Sequence, residues 1–504
     1  MLAPEPAGLA PPADGTDLGI SVLPGHGNRA WVTALEQDGG TYRLASQPDG
    51  SIAVASGSVP GAVRAWVERG GVLVLDGAAG GDGVVPAARR VTTIGGFGHP
   101  ETGAWVAGPG QAFLHEGGGA GSVLVHEDRV VKHGIEQGRY AAVHHRRLGA
   151  GHVVWSGLPL TLQLEAHGDR LRPVAPWSEV TERAATVDKA GVSETLAWMV
   201  RFAARHAGLP TVRRAVWPAG SPSVFILRVD VDGVFGDRAR QLGAVAEQHG
   251  VQATFLLNRE LVERHPGDLG SWLDAHDVGQ HAAVHDLYDD AEADRRNVRA
   301  GHAWVEELTG RRPVGFVAPR GLWSPTLDAA LAALGYRWSS DFGLATDGRP
   351  FRTDSSVLQV PVHAYSPERA VMFAREQGRP EPTANDIRDH YLRHLDEQVR
   401  LGRPVHIYGH PEVLGAVAGK VLPDVFRRVE QLGLPKLTID ETAIWWAKRE
   451  KAELSTSLVA HPTTPELHLQ RSDPEVGIEV ELPAPHRIVL DGCDLGRERG
   501  VLQL

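Results

Sequence analysis

Four polar clusters in the middle of this 504-residue chain carry the residue types of hydrolytic metal chemistry. Asp230 and Asp232 close the apolar run Val224 to Val229. His281 and His285 follow Asp277-Val-Gly. Pro319 and Arg320 follow Val314 to Ala318, and His410 follows Pro404 to Gly409. One carboxylate with two imidazoles matches the ligand count of a catalytic zinc-type ion, which keeps one position open. Asp230-Val-Asp232 offers two carboxylates on the same side of a strand end, so one can bind an ion while the other stays free as a base. His281-Ala-Ala-Val-His285 sets two imidazoles four residues apart, on one face if the segment is a helical turn. Each cluster alone has an ordinary explanation. D-x-D is common turn chemistry, and H-x-x-x-H arises by coincidence in a chain with 24 histidines. The combination carries more weight because every cluster sits at the downstream end of its apolar run. In an α/β barrel those ends face one pocket.

The elements that must position these groups follow from hydrophobic periodicity. From Ser223 the pattern predicts seven strands, near 224–229, 251–257, 277–281, 314–318, 336–340, 357–362 and 404–409. Helical segments separate them, including Arg238 to Gln248, Ala291 to Leu308, Thr326 to Leu334 and Asn385 to Leu401. A helix near Leu422 to Leu432 follows, and Glu441 to Arg449 reads as another. Seven or eight such units close, or nearly close, a barrel. Upstream, Leu18 to Val174 alternates short β runs with helical stretches, the pattern of an open, doubly wound α/β domain. Gly70-Gly-Val-Leu-Val-Leu-Asp76 and Gly151-His-Val-Val-Trp-Ser-Gly157 are its clearest strands. Residues 1–16 look like a mobile lead, and the glycine-rich stretches Gly77 to Pro86 and Gly108 to Gly121 look irregular. The expected divisions are an α/β domain at 1–175, a helical connector at 176–220, a barrel at 221–450 and a small β-rich segment at 451–504.

Composition narrows the partners. Acidic residues (62) exceed basic ones (51) for a net charge of -11, which argues against nucleic acid. The single cysteine, Cys493, excludes an intrachain disulfide and a zinc site built from several thiolates. No apolar run approaches the ~18 residues needed to span a bilayer, and the first 20 residues have no leader pattern. A cytoplasmic protein is the expectation, and homo-oligomerisation is left open.

The stretch from about Ser223 to Val413 resembles the polysaccharide deacetylases of the NodB-homology, carbohydrate esterase type. That resemblance rests on the Asp230/Asp232 pair, His281-Ala-Ala-Val-His285, Gly315-Phe-Val-Ala-Pro-Arg-Gly321, the Trp338-Ser-Ser-Asp341 segment and the late His410. It implies a distorted (β/α)7 barrel that hydrolyses N-acetyl groups on amino sugars or glycoconjugates. Asp230 would be the general base, Asp232, His281 and His285 the ligands of Zn2+ or another divalent transition metal, and His410 the general acid. Pro319, Arg320, Gly321, Trp323, Asp341 and Arg228 would support them. A backbone N–H near Arg320–Gly321 would face the oxyanion, and Trp323 and Tyr408 would wall the pocket, with Trp338 packed in the core. Two positions depart from the family pattern. Ala282 lacks the hydroxyl of H-[ST]-x-x-H, and Val317 stands where an arginine steadies the catalytic aspartate. Arg320 or Arg228 is expected to take over that brace, and His363 is the reserve acid. The departures also keep in view a different C–N amidohydrolase on the same barrel, or a non-catalytic carbohydrate-binding scaffold.

More weakly, Val63-Arg-Ala-Trp-Val-Glu-Arg-Gly-Gly-Val-Leu-Val-Leu-Asp76 and Gly149 to Gly157 resemble class I glutamine-amidotransferase-like or β-galactosidase trimerisation domains. Active members of the former need a nucleophilic cysteine. With Cys493 alone, near the opposite terminus, the domain is expected to be non-catalytic.

Overall fold

The run Val224 to Val229 is apolar on both faces, and the strand it forms, Phe225–Val231, is buried at every position. Such a strand belongs at the centre of a parallel sheet covered on both sides. It pairs in parallel with Thr254–Leu257 on one side and with Val405–Gly409 on the other. The computed structural model describes residues 16–116, 118–126, 135–136, 140–232, 236–264, 271–288, 290–461 and 464–504. Nearly all of the expected lead, 1–15, lies outside them. Contacts within the chain define two compact units, 1–166 with 187–220 and 449–504, and 167–186 with 221–448.

The second unit carries the four clusters. Its eight-stranded sheet runs Val405–Gly409, Phe225–Val231, Thr254–Leu257, Asp277–Gln280, Gly315–Phe316, Trp338–Ser339, Leu358–Gln359, Phe351–Arg352. Only the last pair is antiparallel. Among the described residues no ladder joins Leu358–Gln359 to Val405–Gly409, but His363 N donates to His406 O at 3.0 Å across that gap. The curled sheet therefore fits a partial barrel. Helices Asp237–Gln248, Ala291–Thr309, Pro325–Ala333, Ala384–Leu401 and Leu414–Gln431 separate or follow the strands. Their apolar faces share a core with the strands, for example Phe426 edge-on to Phe225 at 5.8 Å. Trp338 is 1% exposed, and a Cβ at Gly315 would sit 1.8 Å from its ring. The indole thus fills the space that a glycine in the neighbouring strand leaves open, and it is core. A hairpin of Asp169–Pro173 and Thr181–Ala185 completes the unit, with Ala185 N donating to Phe342 O at 2.9 Å.

The first unit is built on a six-stranded sheet ordered Tyr42–Leu44, Ile20–Val22, Ile52–Ser56, Val72–Asp76, Gly151–Trp155, His144–Leu148. The first five are parallel and the last antiparallel. Both faces are covered. Helices Asn28–Asp38 and Lys189–His206 bury residues against Val22, Val54, Val74 and Val154. Helix Gly61–Glu68 buries Val63 and Val67 against Ala53, Leu73 and Leu75. The expected irregular stretch 108–121 needs correction: Trp105–Leu114 is a strand, paired with Arg90–Gly98. Its glycines mark close approach rather than a loop, since a Cβ at Gly108 would lie 2.7 Å from Gln163 Oε1. The last 50 or so residues do not stand alone. The strands Leu454–Val459, Glu466–Arg471, Ile478–Leu490 and Cys493–Gln503 share a sheet with Thr16–Asp17 and Thr211–Arg214. Among the described residues no helix is long and apolar enough to cross a membrane.

Candidate active site

Strand ends bring the predicted groups together. Phe225–Val231 carries Arg228 and Asp230, and Asp232 is the next residue out. His281 follows Asp277–Gln280, and His410 follows Val405–Gly409. Asp230, Asp232, His281, His285 and His410 line one cleft of about 750 Å³ with Arg320, Gly321, Trp323, Phe342, Glu368 and Tyr408. That volume suits a ligand of one or a few rings, against roughly 300–1,000 Å³ for small-molecule sites.

Asp232 Oδ2 lies 3.1 Å from His285 Nε2, 3.8 Å from His281 Nε2 and 3.5 Å from His410 Nε2. His281 and His285 face each other, Nε2 to Nε2, at 3.2 Å. Burial pushes the Asp232 carboxyl up, but the His410 charge and hydrogen bonds from the three imidazoles outweigh it and hold it well below the usual range. The donor set of Asp232, His281 and His285 spans no more than 4.8 Å. His281 Nδ1 lies 2.8 Å from Val317 O, which orients the ring so that Nε2 faces the others. One carboxylate and two imidazoles so arranged fit a divalent zinc-class ion.

The segment between the two histidines corrects one expectation. It is not a helical turn but a bend, with Ala282 in the left-handed region at φ 65. The bend is held from outside. Gln280 Oε1 accepts from Ala282 N at 2.8 Å, and Asn258 Nδ2 donates to His281 O at 2.7 Å. Asn297 Oδ1 accepts from Ala283 N and Val284 N, while its Nδ2 donates to Val284 O and Asp286 O. Gly301 lets helix Ala291–Thr309 come this close, since a Cβ there would stand 2.4 Å from Gln280 Oε1. These amides supply bracing that the missing hydroxyl at 282 does not. Sequence reasoning missed all three, because lone amides carry no motif.

Arg228, not Arg320, steadies Asp230. Its guanidinium donates in a fork, 2.7 Å to Oδ1 and 2.6 Å to Oδ2, and also reaches Ser340 O at 2.6 Å. Arg228 is fully buried and stands over the Tyr408 ring at 4.9 Å. Burial raises the Asp230 carboxyl, but the Arg228 charge wins and holds it below the usual carboxylate range. Arg320 is instead two-thirds exposed, 3.8 Å from Asp286, with φ 59. The oxyanion expectation also narrows. Gly321 N–H is spent on Ala318 O at 2.9 Å, so of that pair the Arg320 amide is the donor to consider. Pro319 and Gly321 are buried, and Gly321 is required, since a Cβ would meet the Phe342 ring at 2.2 Å. Asp341 is fully buried, and its Oδ1 accepts from Ala318 N at 2.7 Å, bracing the same turn. Burial raises its carboxyl to about 7.

Glu368 is a cleft carboxylate that sequence reasoning did not find. It opens helix Pro367–Glu376, whose start is set by the Ser366 cap and Pro367. Its Oε2 accepts from His410 Nδ1 at 3.0 Å, and its Oε1 accepts from Val413 N and Leu414 N. The Ser366-Pro367-Glu368 helix start was legible in principle, but its meeting with His410 is tertiary. Burial lowers the His410 imidazole, yet Asp232 and Glu368 outweigh this and raise it well above the ordinary histidine value. Glu368→Gln keeps an acceptor for both backbone amides and removes the charge. It should move the alkaline limb of kcat/KM to lower pH, because losing an adjacent anion lowers an imidazolium's pKa. An unmoved limb would exclude Glu368 as the partner that sets it. His363, the reserve acid, is not among the residues lining the cleft.

Residues 222–339 match the family model described as polysaccharide deacetylase. The unit that holds this cleft thus contains a polysaccharide deacetylase domain. No curated protein matches the chain. Similar solved structures include a Mycobacterium smegmatis protein assigned as a polysaccharide deacetylase, 20% identical over 46% of this chain and 93% of that chain, with a TM-score of 0.41. The CE4 family pseudoenzyme BA3943 of Bacillus anthracis is 15% identical over 44% of this chain and 65% of its own, with a TM-score of 0.31. The peptidoglycan deacetylase PdaC of Bacillus subtilis is 16% identical over 46% and 95%, with a TM-score of 0.31.

Proposed function

We propose that this protein is a metal-dependent hydrolase that removes an acetyl group from the amide nitrogen of an amino sugar or glycoconjugate, on a distorted (β/α)7 barrel. The observation that carries the reading is the arrangement of two functional pairs around one donor cluster. Asp230, paired with Arg228, and His410, paired with Glu368, line the same cleft as Asp232, His281 and His285. A divalent ion held by those three ligands would polarise the acetyl carbonyl and acidify the attacking water. Asp230, kept ionised by Arg228, takes a proton from the water as its oxygen bonds to the carbonyl carbon. His410, kept protonated by Glu368 and Asp232, gives its proton to the nitrogen as the C–N bond breaks. The products are acetate and a free amine. The Arg320 amide is proposed as the donor that faces the oxyanion. Trp323 on the cleft wall gives a sugar ring an apolar face to lie against.

The two departures from the family pattern are met by other residues. Arg228 does for Asp230 what an arginine at 317 would do, and Gln280, Asn258 and Asn297 hold the bend at Ala282. This favours an active hydrolase over a non-catalytic binding protein. The first unit is proposed to be non-catalytic. Its cysteine, Cys493, is exposed on the strand Cys493–Gln503 and cannot be the nucleophile of a glutaminase in the six-stranded sheet.

The deciding experiment combines metal analysis with turnover. His281→Ala/His285→Ala is expected to lose about one zinc per chain relative to the native protein. It is also expected to lose release of acetate from N-acetylglucosamine oligomers. Unchanged zinc content in that variant would remove the assignment. Normal zinc with no acetate released from any acetylated amine would leave the binding-protein reading in its place.

A further inference from the structure

A second group of imidazoles and a carboxylate is buried in the same unit, away from the cleft. None of Asp347, His363, His390 and His394 lines that cleft. Asp347 sits in a turn at φ 54, and His363 lies just beyond the strand Leu358–Gln359. His390 and His394 are one turn apart on helix Ala384–Leu401, hence on one face. The donor atoms of Asp347, His363 and His394 lie within 4.8 Å of one another. His363 Nδ1 is 3.0 Å from Asp347 Oδ1, and its Nε2 is 3.0 Å from His390 Nε2. His394 Nε2 is 3.7 Å from Asp347 Oδ1 and makes no hydrogen bond. His363 and His394 are 1% and 2% exposed.

The plain alternative is a chain of hydrogen bonds. It accounts for His363, whose Nδ1–H donates to Asp347 and whose Nε2 accepts from His390. It does not account for His394. A buried imidazole nitrogen without a partner, aimed at a carboxylate, costs stability that the rest of the cluster does not recover. Imidazole nitrogens and one carboxylate brought this close are the donor set of zinc-class ions.

With His390 as an outer partner on the far nitrogen of His363, we propose that Asp347, His363 and His394 form a second transition-metal site separate from the candidate active site. It ties three segments that are distant in sequence: the turn at 347, the segment after Leu358–Gln359 and helix Ala384–Leu401. The segment at His363 also crosses the gap in the sheet, where its N–H donates to His406 O on the strand that ends at His410. An ion here would pin the open edge of the barrel.

The test uses the full chain carrying His281→Ala/His285→Ala, so that the cleft site is already removed. After chelation and reloading, this variant is expected to keep about one zinc per chain by mass spectrometry. Reloaded with cobalt instead, it should show the visible bands of a tetrahedral ion. Zinc should raise its Tm by several degrees, because a ligand that binds only the folded state stabilises it. Adding His394→Gln should abolish the zinc, the cobalt bands and the Tm shift. Absence of bound metal and of any zinc-dependent Tm shift in the folded His281→Ala/His285→Ala protein would overturn the proposal. So would retention of the ion after His394→Gln. Should the native chain hold one zinc that only His394→Gln removes, the second site stands and the cleft assignment fails.

Discussion

Asp230→Asn and His410→Ala are each expected to lower kcat by roughly 10²–10⁴-fold, the usual worth of a general base or acid, with zinc content unchanged. The asparagine keeps the shape of Asp230 and accepts no proton. Its amide oxygen still accepts from Arg228 but no longer neutralises that buried charge, so kcat is taken per folded protein. The pH profile separates the two roles. Activity needs Asp230 ionised, and Arg228 holds that carboxyl below the usual range, so the acidic limb belongs below about pH 4. Activity also needs His410 protonated. Its value is raised by Asp232 and Glu368 above the ordinary histidine figure of about 6.5, so the alkaline limb lies above neutrality. His410→Ala should erase that limb and leave the acidic one. The same shift bears on stability. A raised histidine contributes stability that is fully present below about pH 6.5 and fades as pH rises through its folded value. His410→Ala should therefore flatten the loss of Tm between neutral and alkaline pH. An unaltered rate profile in His410→Ala would place the acid elsewhere.

Much of the second unit was legible because its signals are local. Long periodic segments became helices close to their predicted bounds, as at Asp237–Gln248 and Ala291–Thr309. Apolar runs became the parallel strands, and the polar residues closing those runs met in one cleft because parallel strands share a direction. What was not legible is set by tertiary contact. His281 and His285 face one ion through a left-handed bend at Ala282, stabilised by amides from residues 258, 280 and 297. Glu368 reaches His410 across 42 positions. The strands Thr16–Asp17 and Thr211–Arg214 joined the C-terminal strands because β pairing ignores sequence distance. Arg228 was one of two alternatives for the missing arginine, with Arg320, and burial decides between them: a basic residue inside an apolar strand must meet a carboxylate, and two residues on lies Asp230.

That burial makes Arg228→Met the change with the largest expected effect on stability. Arg228 has no exposed surface, and both its terminal nitrogens and its Nε are engaged, by Asp230 and Ser340. Methionine removes the charge and fills similar space. The Asp230 carboxylate is then left buried and unpaired, which costs about 3–5 kcal/mol. Part of that cost is avoided if Asp230 takes up a proton, so its value rises and the acidic limb of kcat/KM moves toward neutral pH. The sign follows from linkage. A carboxyl lowered in the folded state contributes stability above its unfolded value, near pH 4, and loses it as pH falls. Arg228→Met removes that contribution, so the deficit should be largest at neutral pH and shrink in acid. The double variant Arg228→Met/Asp230→Asn has no charge to strand and should recover much of the stability but none of the activity. Such a cycle isolates the pair from the packing of either side chain. If Arg228→Met unfolds at the native denaturant midpoint, or if the double variant is no more stable than the single one, the ion pair is not what holds Asp230 in place.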